Sequence, residues 1–187
     1  MAMVMRMDEE RIWNWLRLAG WGGAALLLAL PLVAMRFTSE VDWTLSDFVV
    51  MGALLGGSGL VLELATRRSN SLLYRLGVTA AVATSFLLIW VNLAVGFLGD
   101  EGNPANLIFL GVIAIAAAWA IVARSQPDSM ARAMALAAAA QVLVGAIGFA
   151  AGWSAPGAKG LYEVVMGTTL FTGLWLGSAA LFWKAGR

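Results

Sequence analysis

"LLYRLGVTAAVATSFLLIWVNLAVGFLGDEGNPANL", residues 72–107, decides the fold of this chain. From residue 72 to 98 the only charge is Arg75, and the run exceeds the roughly 20 apolar residues that cross a bilayer as a helix. Two acids, two glycines, a proline and two asparagines then fall within residues 99–106. Gly99, Gly102 and Pro104 are turn formers, and the residue before a proline is disfavoured for helix. Asn106 opens the next apolar run, where its side chain is expected to cap the free N–H groups of a first helical turn. The stretch reads as a membrane helix, a turn at the membrane surface, and the start of the next helix.

The whole chain has the same character. It has 187 residues, 61% of them hydrophobic, and a mean hydropathy of +0.83. Only 12% are charged, where soluble domains carry about 25%. A soluble fold of this size has no interior large enough for so much apolar surface. Six spans are predicted, at about 18–35, 48–65, 72–98, 107–123, 133–152 and 164–183. The expected fold is an all-α, six-helix transmembrane bundle forming a single domain over 1–187. Residues 1–17 form an interfacial segment in which Trp13 and Trp15 stand among charges. The first apolar run resembles a signal peptide in its basic start, but it is longer than an ordinary signal core, so an uncleaved anchor is expected.

Cations set the orientation. Arg6, Arg11, Arg17, Arg67, Arg68, Arg75, Arg124, Arg132, Lys184 and Arg187 fall at one set of span ends, and only Arg36 and Lys159 at the other. Ten against two is a positive-inside pattern that places both termini in the cytoplasm.

The segments entering from the opposite side look alike. "DFVVMGALLGG" (47–57), "NLIFLGVIAIA" (106–116) and "EVVMGTTLFTG" (163–173) each set a polar starter ahead of a glycine. The arginine pairs Arg67/Arg75 and Arg124/Arg132 also recur, at a period of about 57 to 59 residues. A tandem helical-hairpin repeat accounts for this, and so do the capping and charge rules common to all such helices. Gly52, Gly56, Gly145, Gly148, Gly152, Gly173 and Gly177 are candidate positions of close helix packing, because association in lipid depends on small residues.

The chemistry is sparse. There is no cysteine and no histidine, which removes thiolate catalysis, the commonest general base and the usual zinc and haem ligands. No cofactor is expected, and a net charge of +1 gives no field for nucleic acid. Glu63 stands four residues before Arg67, a helix-surface ion-pair spacing. Glu40, Asp42, Asp47, Asp100, Glu101 and Glu163 are the only acids that could serve an enzyme at the outer surface, and they sit on separate loops without ligand spacing. Asn92 and Gln141 lie at membrane depth, where an unpaired amide is costly. Either they bond across helices to Thr84, Ser85, Thr168, Thr169 or Thr172, or they line a polar cavity with Trp90 and with Asp100 at its rim.

"VDWTLSDFVVMGALL", "ELATRRSNSLLYR" and "IWVNLAVGFLGDEGNPANL" resemble an uncharacterised group of small multi-pass inner-membrane proteins of bacteria, over residues 41 to 124. That resemblance implies a bacterial cytoplasmic membrane and carries no activity with it. The functional expectation is a non-catalytic accessory or structural subunit, or a membrane protein that binds partners or lipid. The alternative is a small transporter or channel for a neutral or lipid-like solute. Expected partners are membrane lipids, other membrane subunits or further copies of the chain.

Overall fold

A computed structural model describes residues 2–187, with the side chains of Trp15 and of residues 17–187. Six α-helices follow one another: α1 (Ala2–Ala34), α2 (Leu45–Thr66), α3 (Leu72–Ala94), α4 (Ile108–Val122), α5 (Pro127–Ala150) and α6 (Gly157–Ala185). A 3₁₀ turn, Pro104–Leu107, leads into α4, and no strand occurs among the described residues. Each helix, α4 together with its 3₁₀ lead, is long and apolar enough to cross a membrane. The chain is a multi-pass membrane protein, and its fold is the all-α bundle that composition predicts.

Helix bounds depart from the sequence reading where a local bond intervenes. The first helix runs unbroken from Ala2, so residues 2–16 are continuous with the span Arg17–Ala34. The third helix stops at Ala94, four residues early, because Gly96 turns the backbone at φ +76. α5 starts six residues early, with Pro127 in its first turn, where a missing N–H costs nothing. α6 starts at Gly157, so Glu163 lies inside the helix, paired with Lys159 at 3.7 Å.

The chain divides into two compact units at Leu60/Val61. In the first, α1 and α2 run antiparallel: a Cβ on Gly59 would meet the Trp21 ring at 2.9 Å, and one on Gly52 would meet Leu28 at 3.8 Å. The N-cap of α2 is Thr44, and Asp47, the polar starter of the 47–57 stretch, lies inside the first turn. Asp47, three residues on, accepts from the Thr44 N–H and hydroxyl at 2.7 Å each, the reciprocal half of a capping box.

In the second unit α6 packs along both α5 and α3, α4 packs on α5, and α3 and α4 touch little. The arginine-bearing turns and the C-terminal helix end lie at one pole, and the acid-bearing turn 95–104 with the α5–α6 turn lies at the other. Aromatic rings fill the centre at both poles. Tyr74 meets Phe182 edge-on at 5.2 Å, and Phe97 meets Phe109 at 5.3 Å and Phe171 at 5.4 Å. Such rings supply dispersion and quadrupole contacts, which matter where lipid offers no hydrophobic drive for helix association.

Glycine makes these contacts fit. A Cβ at Gly167 would enter the Phe97 ring, one at Gly145 would enter Thr168, and one at Gly148 would meet Leu98 at 2.5 Å. Of the glycines predicted for packing, Gly145 and Gly148 therefore stand at close approaches. Gly52 makes an ordinary contact, and Gly56, Gly152, Gly173 and Gly177 have nothing within 4 Å of a Cβ. Gly77, against Phe182 at 3.1 Å, and Gly167 stand at further close approaches; neither has a GxxxG partner that would have signalled it.

Candidate functional site

The acid-bearing pole is built on two asparagines. The Oδ1 of Asn106 accepts from the N–H groups of Phe97 and Leu98, both at 2.9 Å, and its Nδ2 donates to the Asp100 carbonyl at 2.7 Å. Asn106 thus closes the loop that ends α3 and does not cap its own helix. The capping falls to Asn103, whose Oδ1 accepts from Ala105 N–H at 3.0 Å. Its Nδ2 donates to the carbonyls of Leu98 (2.6 Å) and Trp153 (3.0 Å), which ties this loop to the α5–α6 turn. The buried, twice-accepting Asn106 amide replaces helical bonds that α3 would have made had it continued to residue 98.

This clamp holds the first turns of α4 away from α3 and leaves a cleft of about 310 Å³ between them. Leu88, Ile89 and Leu93 of α3 and Phe109, Leu110 and Ile113 of α4 form its apolar walls. Glu101, Gly102 and Asn103 stand at its mouth. Asn92 also lines it; its Nδ2 donates to Leu88 O of its own helix at 2.7 Å, and its Oδ1 is buried and unpartnered. The cleft is a greasy slot with a carboxylate and amides at the rim, the layout of a site for an amphiphile.

The cleft does not gather Trp90, Asn92, Asp100 and Gln141 together. Asn92 lines the cleft; Trp90, Asp100 and Gln141 do not. Asp100 is exposed on the clamp loop and gives Asn106 its carbonyl, not its carboxylate. Gln141 is fully buried, with neither amide atom hydrogen-bonded. Thr172 Oγ1 and Trp175 Nε1 are likewise buried without partners. The Gly145–Thr168 approach sets the register of the antiparallel α5–α6 pair, which brings Gln141 level with Thr172 and Ala138 level with Trp175.

Thr84 and Ser85 do not make the anticipated bonds between helices, because their hydroxyls turn back on their own helix. Thr84 donates to Ala80 O at 2.7 Å and Ser85 to Ala81 O at 2.9 Å, a local bond that competes with interhelical pairing. A side-chain bond that does join two spans runs from Ser178 Oγ to Gly77 O at 2.8 Å. Sequence reasoning missed it because a serine in an apolar run is ambiguous until its helix has neighbours.

An amide with no partner in this interior costs free energy that a leucine of similar shape does not. We therefore expect Gln141→Leu to raise the protein's unfolding free energy by about 1–3 kcal/mol, read as a higher thermal midpoint in detergent. A lower midpoint would mean that the amide is satisfied in the membrane.

Among the described residues, no three of His, Cys, Asp and Glu converge to hold a metal ion. Of the six acids considered for the surface, Asp47 is held by Thr44 and Glu163 pairs with Lys159. Glu63 pairs with Arg67, as its spacing predicts. No protein-family model matches the chain, and no curated protein and no solved structure matches it either.

Proposed function

We propose that this protein is a non-catalytic membrane protein that holds a lipid-like amphiphile in the cleft between α3 and α4. The observation that carries this reading is the cleft itself: about 310 Å³, walled mainly by aliphatic and aromatic side chains of α3 and α4, with Asn92 in the α3 wall and Glu101 and Asn103 at the mouth. A volume of this order takes a segment of an acyl or isoprenoid-like tail, while Glu101 and Asn103 at the rim favour a neutral or cationic head over an anionic one. Backbone carbonyls and N–H groups at the mouth are already engaged by Asn103 and Asn106, so the rim is rigid and offers few sites for chemistry. The cation distribution supports a cytoplasmic location of both termini and an outward-facing cleft in a bacterial inner membrane. Such a protein works as an accessory or lipid-binding component beside other membrane proteins.

The test is the small-molecule content of protein extracted in mild detergent, read by mass spectrometry. Leu110 lines the cleft and is 46% exposed, so Leu110→Trp fills the slot without disturbing the core. Loss of burial for about two methylenes is worth roughly 1.6 kcal/mol, hence about tenfold weaker retention of the amphiphile. Unchanged occupancy in Leu110→Trp would remove the cleft from consideration.

A further inference from the structure

The opposite pole carries a second groove, independent of the cleft and of the function proposed for it. It runs between the start of α5 and the end of α6 and encloses about 630 Å³. Its floor is alanine: Ala131 and Ala135 from α5, Ala179 and Ala180 from α6. Small side chains on both helices make a shallow trough open along its length. At its polar end stand Arg132 and Trp183. The Arg187 guanidinium lies over the Trp183 ring, 3.5 Å from the centroid. Lys184 follows Ala180 by one helical turn on the same face.

Cations outnumber acids here, Arg132, Lys184 and Arg187 standing against Asp128. Arg132 is exposed, with no ion-pair or hydrogen-bond partner among the described residues. Asp128, the one acid of the groove, sits in the first turn of α5, where the positive end of the helix dipole already answers it. Arg187 is occupied by a π face and not by a carboxylate, so its N–H donors keep their capacity for an anion. An apolar trough that ends in Arg132 and Trp183, with Arg187 stacked on that tryptophan, matches a phospholipid with an anionic headgroup: acyl chain along the alanines, phosphate at the arginine end. Basic pockets between transmembrane helices bind such headgroups by the same division of labour.

We propose that this α5–α6 groove is a binding site for one anionic phospholipid, with Arg132 and Arg187 as its phosphate-binding residues and Trp183 as the platform that holds Arg187 in place.

The test uses the full chain in detergent supplemented with phosphatidylglycerol or phosphatidylcholine of identical acyl chains, with retained lipid counted by native mass spectrometry. One phosphatidylglycerol should be retained about thirtyfold more strongly than phosphatidylcholine, given about a kilocalorie for each of the two arginines. The double variant Arg132→Gln/Arg187→Gln should lose this preference, while Arg36→Gln, which lines no part of the groove, should keep it. Ala135→Trp, which fills the trough, should weaken retention of both lipids and so separate a seated lipid from diffuse attraction to charge. Equal retention of the two lipids by the unaltered protein overturns the proposal, as does a preference that survives the double variant. Retention of inorganic phosphate at the same arginines without lipid would make this an ion site and overturn the lipid assignment. Unchanged thermal midpoints in phosphatidylcholine certify that each variant is folded.

Discussion

Asn106→Ala is expected to cost about 4 kcal/mol. The amide makes three hydrogen bonds to backbone groups around the α3 terminus, and Asn106 is only 5% exposed. Its removal strands two N–H groups and one carbonyl, and each orphaned buried group costs about 1–3 kcal/mol unless water reaches it. Gly96 deepens the dependence. Its φ of +76, and Asp100 and Asn106 standing where a side chain at this position would go, fit the loop to this one closure. In a chain of this length the loss corresponds to a thermal midpoint roughly 10 °C lower. Asn103→Ala removes bonds at a partly exposed site and should cost about half as much. If the two variants melt alike, Asn106 does not close the loop as described. Because the clamp sets the spacing of α3 and α4, Asn106→Ala should also release whatever the cleft holds.

Gly167→Leu and Gly173→Leu form the second large contrast. Both glycines lie on α6, six residues apart, and no hydropathy pattern tells them apart. Gly167 is buried against the ring of Phe97, which is itself held between Phe109 and Phe171. Four added carbons have no room there, and overpacking of this kind costs typically 1–3 kcal/mol, here about 3 because the ring they meet is fixed on two sides. Gly173 is exposed, with nothing within 4 Å of an added Cβ. Leucine there gains about 0.5–1 kcal/mol of helix propensity, so stability should be unchanged or slightly higher. Thermal midpoints in one detergent measure the difference. The same Gly173→Leu protein, sized in detergent, reports on self-association: if the Gly173–Gly177 face joins two copies, the variant loses the oligomer while its midpoint holds.

The two sites differ in how far residue patterns reveal them. The stretch around residue 99 is legible as a turn because glycine, proline and asparagine have local conformational preferences that need no partner. Which asparagine does what is not local. Asn103 and Asn106 are three residues apart and chemically identical, and only the arrival of α3's frayed end and the α5–α6 turn gives one a clamp role and the other a cap. Asn92 and Gln141 were recognisable as amides at membrane depth. Whether they share a cavity depends on helix rotation, which hydropathy leaves undetermined when a span is apolar on every side. The groove at the other pole escaped notice because alanines carry no signal until two helices set them face to face.

What the amino-acid sequence by itself determined was the solvent. A chain with so few charges, broken into long apolar runs with cations at alternate ends, has to become membrane helices, since every backbone polar group in lipid must be satisfied within its own segment. Tertiary structure alone decided the neighbours: α6 between α5 and α3, α4 held off from α3, Gly167 under a ring and Gly173 free. In lipid, tails are as apolar as the side chains they contact, so no hydrophobic gradient along the sequence selects one helix face over another. Shape complementarity of small residues and rings makes that choice, and it exists only between segments that have already met.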